Sequence, residues 1–262
     1  MRRTFCFLAF NAGLLRQAQT NPDDLDGGGA WSSSCRARAP PASYAHFARI
    51  DAMNSIGGTP VECIQGTRKM TIDSQQLAAL AAAYPYTWLD LGTGDGRFVQ
   101  HMARTLPRTL LIGVDACREN LRERSRRSTP NTLFAIANAL ALPAELDGLV
   151  QRVSINFPWG SLLEALLEGD AHLLNGLRRV TRPTALLEIR LNGGALLQSE
   201  LAAEEGAARV RQVLNRAGWR CGAPTYLAAQ QLKDTPSSWA QRLAHGPHPW
   251  AISLRAVAIE IA

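Results

Sequence analysis

The 262-residue sequence has no apolar run approaching the roughly 18 residues needed to span a membrane. Its 5 cysteines are scattered without CxxC spacing, so the sequence indicates neither a disulfide framework nor a zinc site. With 46% apolar and 19% charged residues, the composition is that of a globular protein and excludes collagen-like and wholly disordered chains. We therefore expect a cytoplasmic protein with no membrane segment and no bound metal.

Lysine is nearly absent, although the chain is basic. The formal net charge is +6, and Lys69 and Lys233 are the only lysines among the 28 basic residues, so the rest are arginines. Arginine binds phosphate and stacks on nucleobases better than lysine does, which favours a polyanionic partner. A GC-rich coding bias would produce the same arginine count, so both explanations remain open at this stage.

The N-terminal part of the chain differs in composition from the rest. Residues 1–60 show no sustained periodicity and include a polar, glycine-rich stretch at 21–29, which is typical of a disordered leader. Met53 is a candidate for the true start of the protein. Residues 61–262 form the predicted folded domain.

Beyond this leader, apolar runs suited to buried strands alternate with amphipathic stretches suited to helices. The alternation predicts βαβ units and a parallel sheet, that is, an α/β fold. A late strand that alternates apolar and polar residues is expected at 250–260. The predicted strands are 87–92, 109–115, 132–138, 152–158 and 184–191, and the predicted helices are 97–106, 117–127, 161–179 and 203–217.

A glycine-rich loop with the sequence DLGTGDG begins at Asp90, directly after the first strong strand. Glycines such as Gly92 and Gly94 allow a ligand to approach the backbone there. A dinucleotide fingerprint needs a small residue where this chain has Arg97, so NAD is disfavoured. Asp115, at the end of the next strand, is placed to bind ribose hydroxyls. The alternative is a tight turn in which Asp115 caps a helix.

Together these features predict S-adenosylmethionine as the cofactor, since the site suits a nucleoside without a pyrophosphate. The methionine part would lie along residues 90–94, and the adenine would lie near 137–140, after the third strand. Trp159 follows a proline at the end of the fourth strand, on the edge where open α/β sheets place their substrates. The competing interpretation is that Trp159 packs in the core.

Five stretches of the chain resemble the aminoglycoside-resistance 16S rRNA (adenine(1408)-N(1))-methyltransferases of the kanamycin-apramycin type. The resemblance covers residues 61–262. It implies a class I S-adenosylmethionine-dependent methyltransferase, with a Rossmann-like seven-stranded sheet whose last strand is antiparallel. It also implies a hairpin near 61–72 and inserted helices near 195–217 and 229–246. The stretches are GTRKMTIDSQQL (66–77), LDLGTGDGR (89–97), LIGVDACRENL (111–121), SINFPWGSLLE (154–164) and SSWAQRLAHG (237–246).

The resemblance also implies the site. In that family a flipped adenine lies between two tryptophans, which correspond here to Trp159 and Trp239. The implied partner is the 30S subunit, bound by a monomer in the cytoplasm, and the implied outcome is aminoglycoside resistance. Together with Asp90 and Gly94 from the loop argument, the predicted cofactor-binding residues are Gly92, Asp115, Ala139, Leu140, Asn156, Phe157, Pro158, Trp159, Gly160, Ser161, Ser237 and Trp239.

Arginines recur at helical spacing after Asp115, at positions 118, 122 and 126. The alternative to a functional role is a solvated helix face on which these arginines pair with Glu119 and Glu123. In the resembled family this region is basic and lies against rRNA. The predicted RNA-binding residues are Arg118, Arg122, Arg126, Arg127 and Arg242.

The chain departs from the family in two places. After Arg242 it has Pro247 and Pro249 in a segment where the family carries further basic residues, and Asn156 replaces an apolar residue. The alternatives are therefore a tRNA methyltransferase of the guanine-N7 type, and a cofactor-binding RNA-binding protein without turnover. N1 of adenine already carries a lone pair, so the chemistry requires no general base.

Overall fold

The computed structural model of the protein describes residues 60–246 and 249–259. The leader predicted for residues 1–60 lies outside this part of the chain except for Pro60, and Met53, Pro247 and His248 lie outside it too. None of the helices described is both long and apolar enough to cross a membrane.

The described residues form ten strands and nine α-helices, which alternate one by one from β2 to β5. The strands are β1 (Val61–Gln65), β2 (Arg68–Ile72), β3 (Tyr86–Leu91), β4 (Thr109–Asp115), β5 (Thr132–Ile136), β6 (Val150–Asn156), β7 (Thr181–Leu191), β8 (Trp219–Cys221), β9 (Thr225–Leu227) and β10 (Ala251–Ala258). The helices are α1 (Ser74–Ala82), α2 (Arg97–Thr105), α3 (Arg118–Ser125), α4 (Ser161–Glu168), α5 (Ala171–Val180), α6 (Gly193–Gln198), α7 (Ala203–Arg216), α8 (Ala229–Asp234) and α9 (Ser238–Ala244).

All ten strands belong to one mixed sheet. Its order is β2-β1-β5-β4-β3-β6-β7-β10-β8, with β9 paired to β10 beside β8. Strands β5, β4, β3, β6 and β7 are parallel, and β10 runs antiparallel to β7 and to β8. The seven strands from β5 to β8 are the predicted class I sheet with its antiparallel last strand. The predicted hairpin, β1 and β2, extends this sheet beside β5.

Helices cover both faces of the sheet. The larger apolar cluster joins the sheet to α1, α4, α5 and α7, and a smaller one joins Trp88 and Phe134 on the sheet to α2 and α3. A third cluster, around Phe157, holds the helix pair α8 and α9. The strand order reverses between β3 and β6, so the carboxyl ends of these two strands mark the switch point where open α/β sheets bind ligands.

Several predicted helices are broken in ways that local chemistry explains. The stretch 161–179 forms α4 and α5, because Gly169 adopts a left-handed conformation with φ of 77° and the side chain of Asp170 caps the new helix. The stretch 195–217 forms α6 and α7, and Gly218 follows the second helix with φ of 79°, as its predicted role in ending the helix requires. The stretch 229–246 forms α8 and α9.

Candidate active site

The loop after β3 is built from glycines in left-handed conformations. Gly92, Gly94 and Gly96 have φ of 70°, 59° and 72°. The amides of Gly92 and Thr93 donate to the carbonyl of Val114 at 2.9 and 3.0 Å, which ties the loop to β4. A Cβ at Gly96 would lie 2.6 Å from the Phe134 ring, whereas one at Gly94 would meet no atom within 4 Å. Gly96 therefore serves packing, and the backbone at Gly94 is open to a ligand.

Asp115, at the end of β4, faces this loop. Its two carboxylate oxygens accept hydrogen bonds from the amides of Gly94 and Cys117, each at 2.8 Å. Burial raises the pKa of Asp115, and the two amide bonds act against that rise. Nδ2 of Asn120 donates a longer bond, at 3.5 Å, to Oδ1 of Asp115. Because a carboxylate has about four acceptor positions, these three bonds leave capacity for a ribose hydroxyl. Capping and ligand binding are therefore compatible at this residue.

Asp90 is 1% exposed at the end of β3. Its Oδ1 accepts from the hydroxyl of Ser154 at 2.6 Å and from Nδ2 of Asn156 at 2.8 Å. Burial raises the pKa of Asp90 to about 6, although the bonds from Ser154 and Asn156 and the charge of Arg190 lower it. The site thus holds a deeply buried acid that is still largely ionised at neutral pH.

The turn after β6 reverses sharply at Phe157, a non-glycine residue with φ of 54°. The Phe157 amide donates to the carbonyl of Arg190 at 2.7 Å. The Phe157 side chain is 2% exposed and packs against Leu232 and Ala240 of the α8 and α9 pair. Because the side chain of Phe157 is buried, the backbone is the part of this predicted cofactor-binding residue that can face a ligand.

Trp159 and Trp239 lie against each other although they are 80 positions apart in the sequence. Their ring centroids are 5.3 Å apart and their planes differ by 28°. Both side chains are partly buried, and among residues 60–246 and 249–259 the indole nitrogen of Trp159 has no hydrogen-bond partner. Trp159 packs on the main core and Trp239 on the Phe157 cluster, so each ring has a firm outer support.

Helix α9 is fastened to the glycine loop. The hydroxyl of Ser238 donates to Oδ2 of Asp95 at 2.7 Å, across 143 residues of sequence. The guanidinium of Arg242 lies 5.5 Å from the centroid of the Trp239 ring, within cation–π range. Ser237, just before the helix, is 9% exposed. Loop and helix therefore border one cleft.

The remaining predicted cofactor residues border the same edge of the sheet. Ala139 and Leu140 follow β5 and pack partly buried on the main core. Pro158 is buried in the turn, Gly160 has φ of 54°, and Ser161 begins α4 with its side chain exposed. In α4, Leu162 approaches the loop so closely that a Cβ at Gly92 would lie 2.8 Å from it.

The predicted RNA-binding arginines lie on and just after α3. Arg122, Arg126 and Arg127 are exposed and Arg118 is partly buried; within residues 60–246, none of these four forms an ion pair with Glu119 or Glu123. Arg126 packs over the hairpin turn, where a Cβ at Gly66 would lie 2.7 Å from its Cγ. This observation weakens the alternative, in which α3 has a solvated face whose arginines pair with Glu119 and Glu123.

Sequence reasoning did not find three contributors to the cleft: Ser154, Arg190 and the contact between Asp95 and Ser238. Ser154 could have been found, because it precedes Asn156 by two positions on a strand and so shares its face. The other contacts depend on strand register and on helix packing between distant segments.

Comparison with known proteins gives consistent matches over the described domain. The family model for 16S rRNA (adenine(1408)-N(1))-methyltransferase, NpmA, matches residues 62–258. The Escherichia coli enzyme of that description is 28% identical over 204 residues, covering 70% of this chain and 92% of the relative.

Two solved structures are similar over the same region. A mutant of the Catenulisporales acidiphilia enzyme of that description, with the cosubstrate S-adenosylmethionine, is 28% identical with a TM-score of 0.68, covering 76% of this chain and 97% of that one. The antibiotic-resistance methyltransferase Kmr is 33% identical with a TM-score of 0.64, covering 77% and 100%.

Proposed function

Since the chain belongs to the 16S rRNA (adenine(1408)-N(1))-methyltransferase family, we propose that its cleft transfers a methyl group from S-adenosylmethionine to N1 of adenine 1408. The product is methylated 16S rRNA, and the outcome for the cell is resistance to aminoglycosides. The observation that carries this proposal is the meeting of an open glycine loop and a tryptophan pair at the switch point of the sheet.

The cleft has two sides with different tasks. We call residues 90–96, Asp115 and residues 139–140 the donor side, and we call the turn 157–161 and helix α9 the acceptor side. S-adenosylmethionine supplies an electrophilic methyl group on a cationic sulfonium. On the donor side, Asp115 is placed to accept hydrogen bonds from the ribose, and Asp90 presents a negative charge beneath the loop.

The acceptor side needs to hold a base and exclude water, because N1 of adenine already carries a lone pair. Methyl transfer is an in-line displacement, so alignment of the two reactants provides most of the catalysis. An adenine extruded from folded RNA would stack between Trp159 and Trp239. Methylation gives the ring a positive charge, and indole faces attract that charge more in the transition state than in the substrate.

The tryptophan rings have to separate before a base enters between them. Their centroids are 5.3 Å apart, whereas two aromatic contacts in series span about 7 to 8 Å. The described arrangement is therefore the closed form of the acceptor side, in which each indole covers the other. Rotation of one indole side chain would open it, while the Phe157 cluster and the Asp95–Ser238 bond hold α9 in place.

The substrate is the assembled 30S subunit in this proposal, bound by a monomer in the cytoplasm, where ribosomes are. A base buried in ribosomal RNA is identified by the surrounding RNA surface, and this is recognised mainly through phosphates and shape. The exposed arginines at 122, 126 and 127 supply such contacts on the α3 face, and Arg242 supplies one beside Trp239.

The test is methylation of three substrates with radiolabelled S-adenosylmethionine: 30S subunits, protein-free 16S rRNA and tRNA. We expect label in 30S subunits, lost when nucleotide 1408 is already methylated. Label in tRNA alone would overturn the choice of substrate. Binding of the donor with no label in any RNA would indicate an RNA-binding protein without turnover.

A further inference from the structure

A buried polar chain leads from Asp90 across the sheet. Asn156 on β6 donates its Nδ2 to Asp90, and its Oδ1 accepts from Nη1 of Arg190 on β7 at 2.5 Å. Arg190 in turn contacts Glu188 on the same strand, with Nη2 3.1 Å from Oε2. The side chain of Arg190 is 14% exposed, so this contact is largely shielded from water.

Glu188 anchors the far end of the chain. It is 4% exposed and contacts three guanidinium groups, those of Arg152 at 3.0 Å, Arg190 at 3.1 Å and Arg255 at 3.3 Å. Burial raises the pKa of Glu188, but the charges of the three arginines outweigh that effect and the pKa lies below its ordinary value. Glu188 is therefore a carboxylate with fixed partners, and it holds Arg190 toward Asn156.

The direction of each hydrogen bond follows from the chemistry of arginine. A guanidinium has no acceptor, so the atom of Asn156 that faces Arg190 has to be the amide oxygen. The NH₂ group of Asn156 then faces Asp90, where it stabilises the ionised carboxylate. Without Arg190 the amide oxygen of Asn156 loses this partner, and the bond to Asp90 is left to orient the amide.

We infer that Arg190 and Asn156 are positioning residues for the methyl donor: they hold Asp90 as an oriented carboxylate toward the ammonium group of the donor's amino-acid part. This inference rests on the proposed function, in which the methionine part lies along residues 90–94. Neither residue touches the reacting atoms. Their effect reaches the donor through Asp90 and not through the ribose contact at Asp115.

The experiment measures affinity by calorimetric titration with two ligands. S-adenosylmethionine carries the ammonium group and the sulfonium, and 5′-methylthioadenosine has the same nucleoside with a neutral thioether and no amino-acid part. In Arg190→Met the Kd for S-adenosylmethionine should rise about ten-fold at pH 7, as expected for loss of a bond chain that ends on a charged group. The Kd for 5′-methylthioadenosine should change less than about two-fold. Arg190→Lys, which can only donate, should recover part of the loss.

The matched control is Arg255→Met. It removes one arginine from the same Glu188, yet its side chain is 77% exposed and hydrogen bonded to Glu188 alone among these residues. Affinity for both ligands should stay at the wild-type value. Thermal unfolding of each variant checks that the fold is retained.

The pH profile gives a second readout. The charged groups around Asp90 are Asp95 in the loop, Asp115 on β4, Arg152 on β6, and Glu188 and Arg190 on β7, and Arg190 is the one whose attraction holds down the pKa of Asp90. Affinity of the wild type for S-adenosylmethionine should fall as the pH drops through about 6. In Arg190→Met this fall should begin at higher pH, so the ratio of the variant's Kd to the wild-type Kd should shrink as the pH rises from 6 to 7, a range in which the donor's amino group stays protonated.

Other outcomes separate this inference from the proposed function. If the wild type fails to bind S-adenosylmethionine, the proposed function itself is wrong. If it binds, but Arg190→Met matches Arg255→Met in affinity and pH profile, the positioning role is wrong. An equal loss of both ligands would show that Arg190 supports the fold and not the carboxylate.

Discussion

The donor side and the acceptor side of the cleft are held by different kinds of structure. On the donor side, side chains at the ends of adjacent parallel strands reach each other through fixed register, as Asp90 and Ser154 do. On the acceptor side, a turn with a strained Phe157 meets a seven-residue helix through one apolar cluster, and one hydrogen bond joins that helix to Asp95 in the glycine loop. Donor binding is therefore built into the sheet, whereas base binding depends on the docking of α9.

The largest effect should come from the donor side. Asp115→Ala removes the predicted acceptor for the ribose hydroxyls. It should cost about 1.5 to 3 kcal/mol, or roughly 10- to 150-fold in the Kd for S-adenosylmethionine by calorimetry. The exposed Asp73→Ala on the α1 cap is the control. An unchanged Kd in Asp115→Ala would show that this residue is a helix cap and no more.

On the acceptor side, Trp159→Ala and Trp239→Ala should each slow single-turnover methylation of 30S subunits by roughly 5- to 150-fold, since a base stacked on an aromatic gains about 1 to 3 kcal/mol. Binding of the 30S subunit should stay nearly intact, because docking comes from phosphate contacts. Trp159→Phe should retain more activity than Trp159→Ala.

The control for the tryptophans is Tyr86→Ala, which removes a 40% exposed aromatic ring at the opposite end of β3. Wild-type rates in the two alanine variants, or equal rates for phenylalanine and alanine at position 159, would mean that the rings only pack. The sandwich would then not be the mechanism.

The charge of Asp90 lowers the stability of the fold while it contributes to binding of the methyl donor. Because burial raises the pKa of Asp90 from 3.8 to about 6, its charge destabilises the fold above pH 6. Asp90→Asn should raise the free energy of unfolding at pH 8 by about 1 to 3 kcal/mol while weakening donor binding. As the pH falls through 6 the native wild type takes up a proton, so the advantage of the variant should shrink. Urea unfolding at pH 8 and pH 5 measures it, and a gain independent of pH would contradict this explanation.

A smaller effect should separate the two sides directly. Ser238→Ala removes the bond to Asp95 that fastens α9 to the loop. Methylation of 30S subunits should slow by about 2- to 12-fold, the equivalent of 0.5 to 1.5 kcal/mol, with the donor Kd unchanged. Ser74→Ala, an exposed serine on α1, is the control. If Ser238→Ala weakens donor binding instead, the donor side and the acceptor side act as one unit, and the distinction between them is wrong.

The smallest effect concerns docking. Arg122→Ala should lower the slope of log K against log salt for 30S binding by roughly 0.7 to 0.9, as expected for one lost phosphate contact. Arg216→Ala, exposed on α7, should leave the slope unchanged. Equal slopes for both variants would remove α3 from the docking surface.

The contrast between the donor side and the acceptor side also explains which parts of the molecule can be predicted from the sequence. The loop of Gly92 and Gly94, the strand ends and Asp115 are encoded by local patterns, so the predicted fold agrees with the structure, and the predicted donor residues lie at one edge of the sheet. The break between α4 and α5 also has a local signal, a glycine at 169 followed by the capping Asp170. Because the apolar periodicity continues through it, the sequence predicted one helix over 161–179.

Contacts between distant segments had no such local signal. The bond from Arg190 to Asn156 depends on the register of β7 against β6, and the closed stack of Trp159 on Trp239 depends on where α9 packs. For the tryptophans, the resemblance to a known family named the pair that periodicity alone could not connect. It did not predict that the rings would touch.

The hydrogen bond between Asp95 and Ser238 has a consequence for the order in which the protein acquires its activities. It closes a loop of 143 residues, whereas the bond between Asp90 and Ser154 on the donor side closes one of 64. The longer closure costs roughly 0.7 kcal/mol more in chain entropy, and such distant contacts form late during folding. A refolding chain should therefore regain affinity for S-adenosylmethionine before it regains methylation of the ribosome, and the two activities should recover on separate time courses.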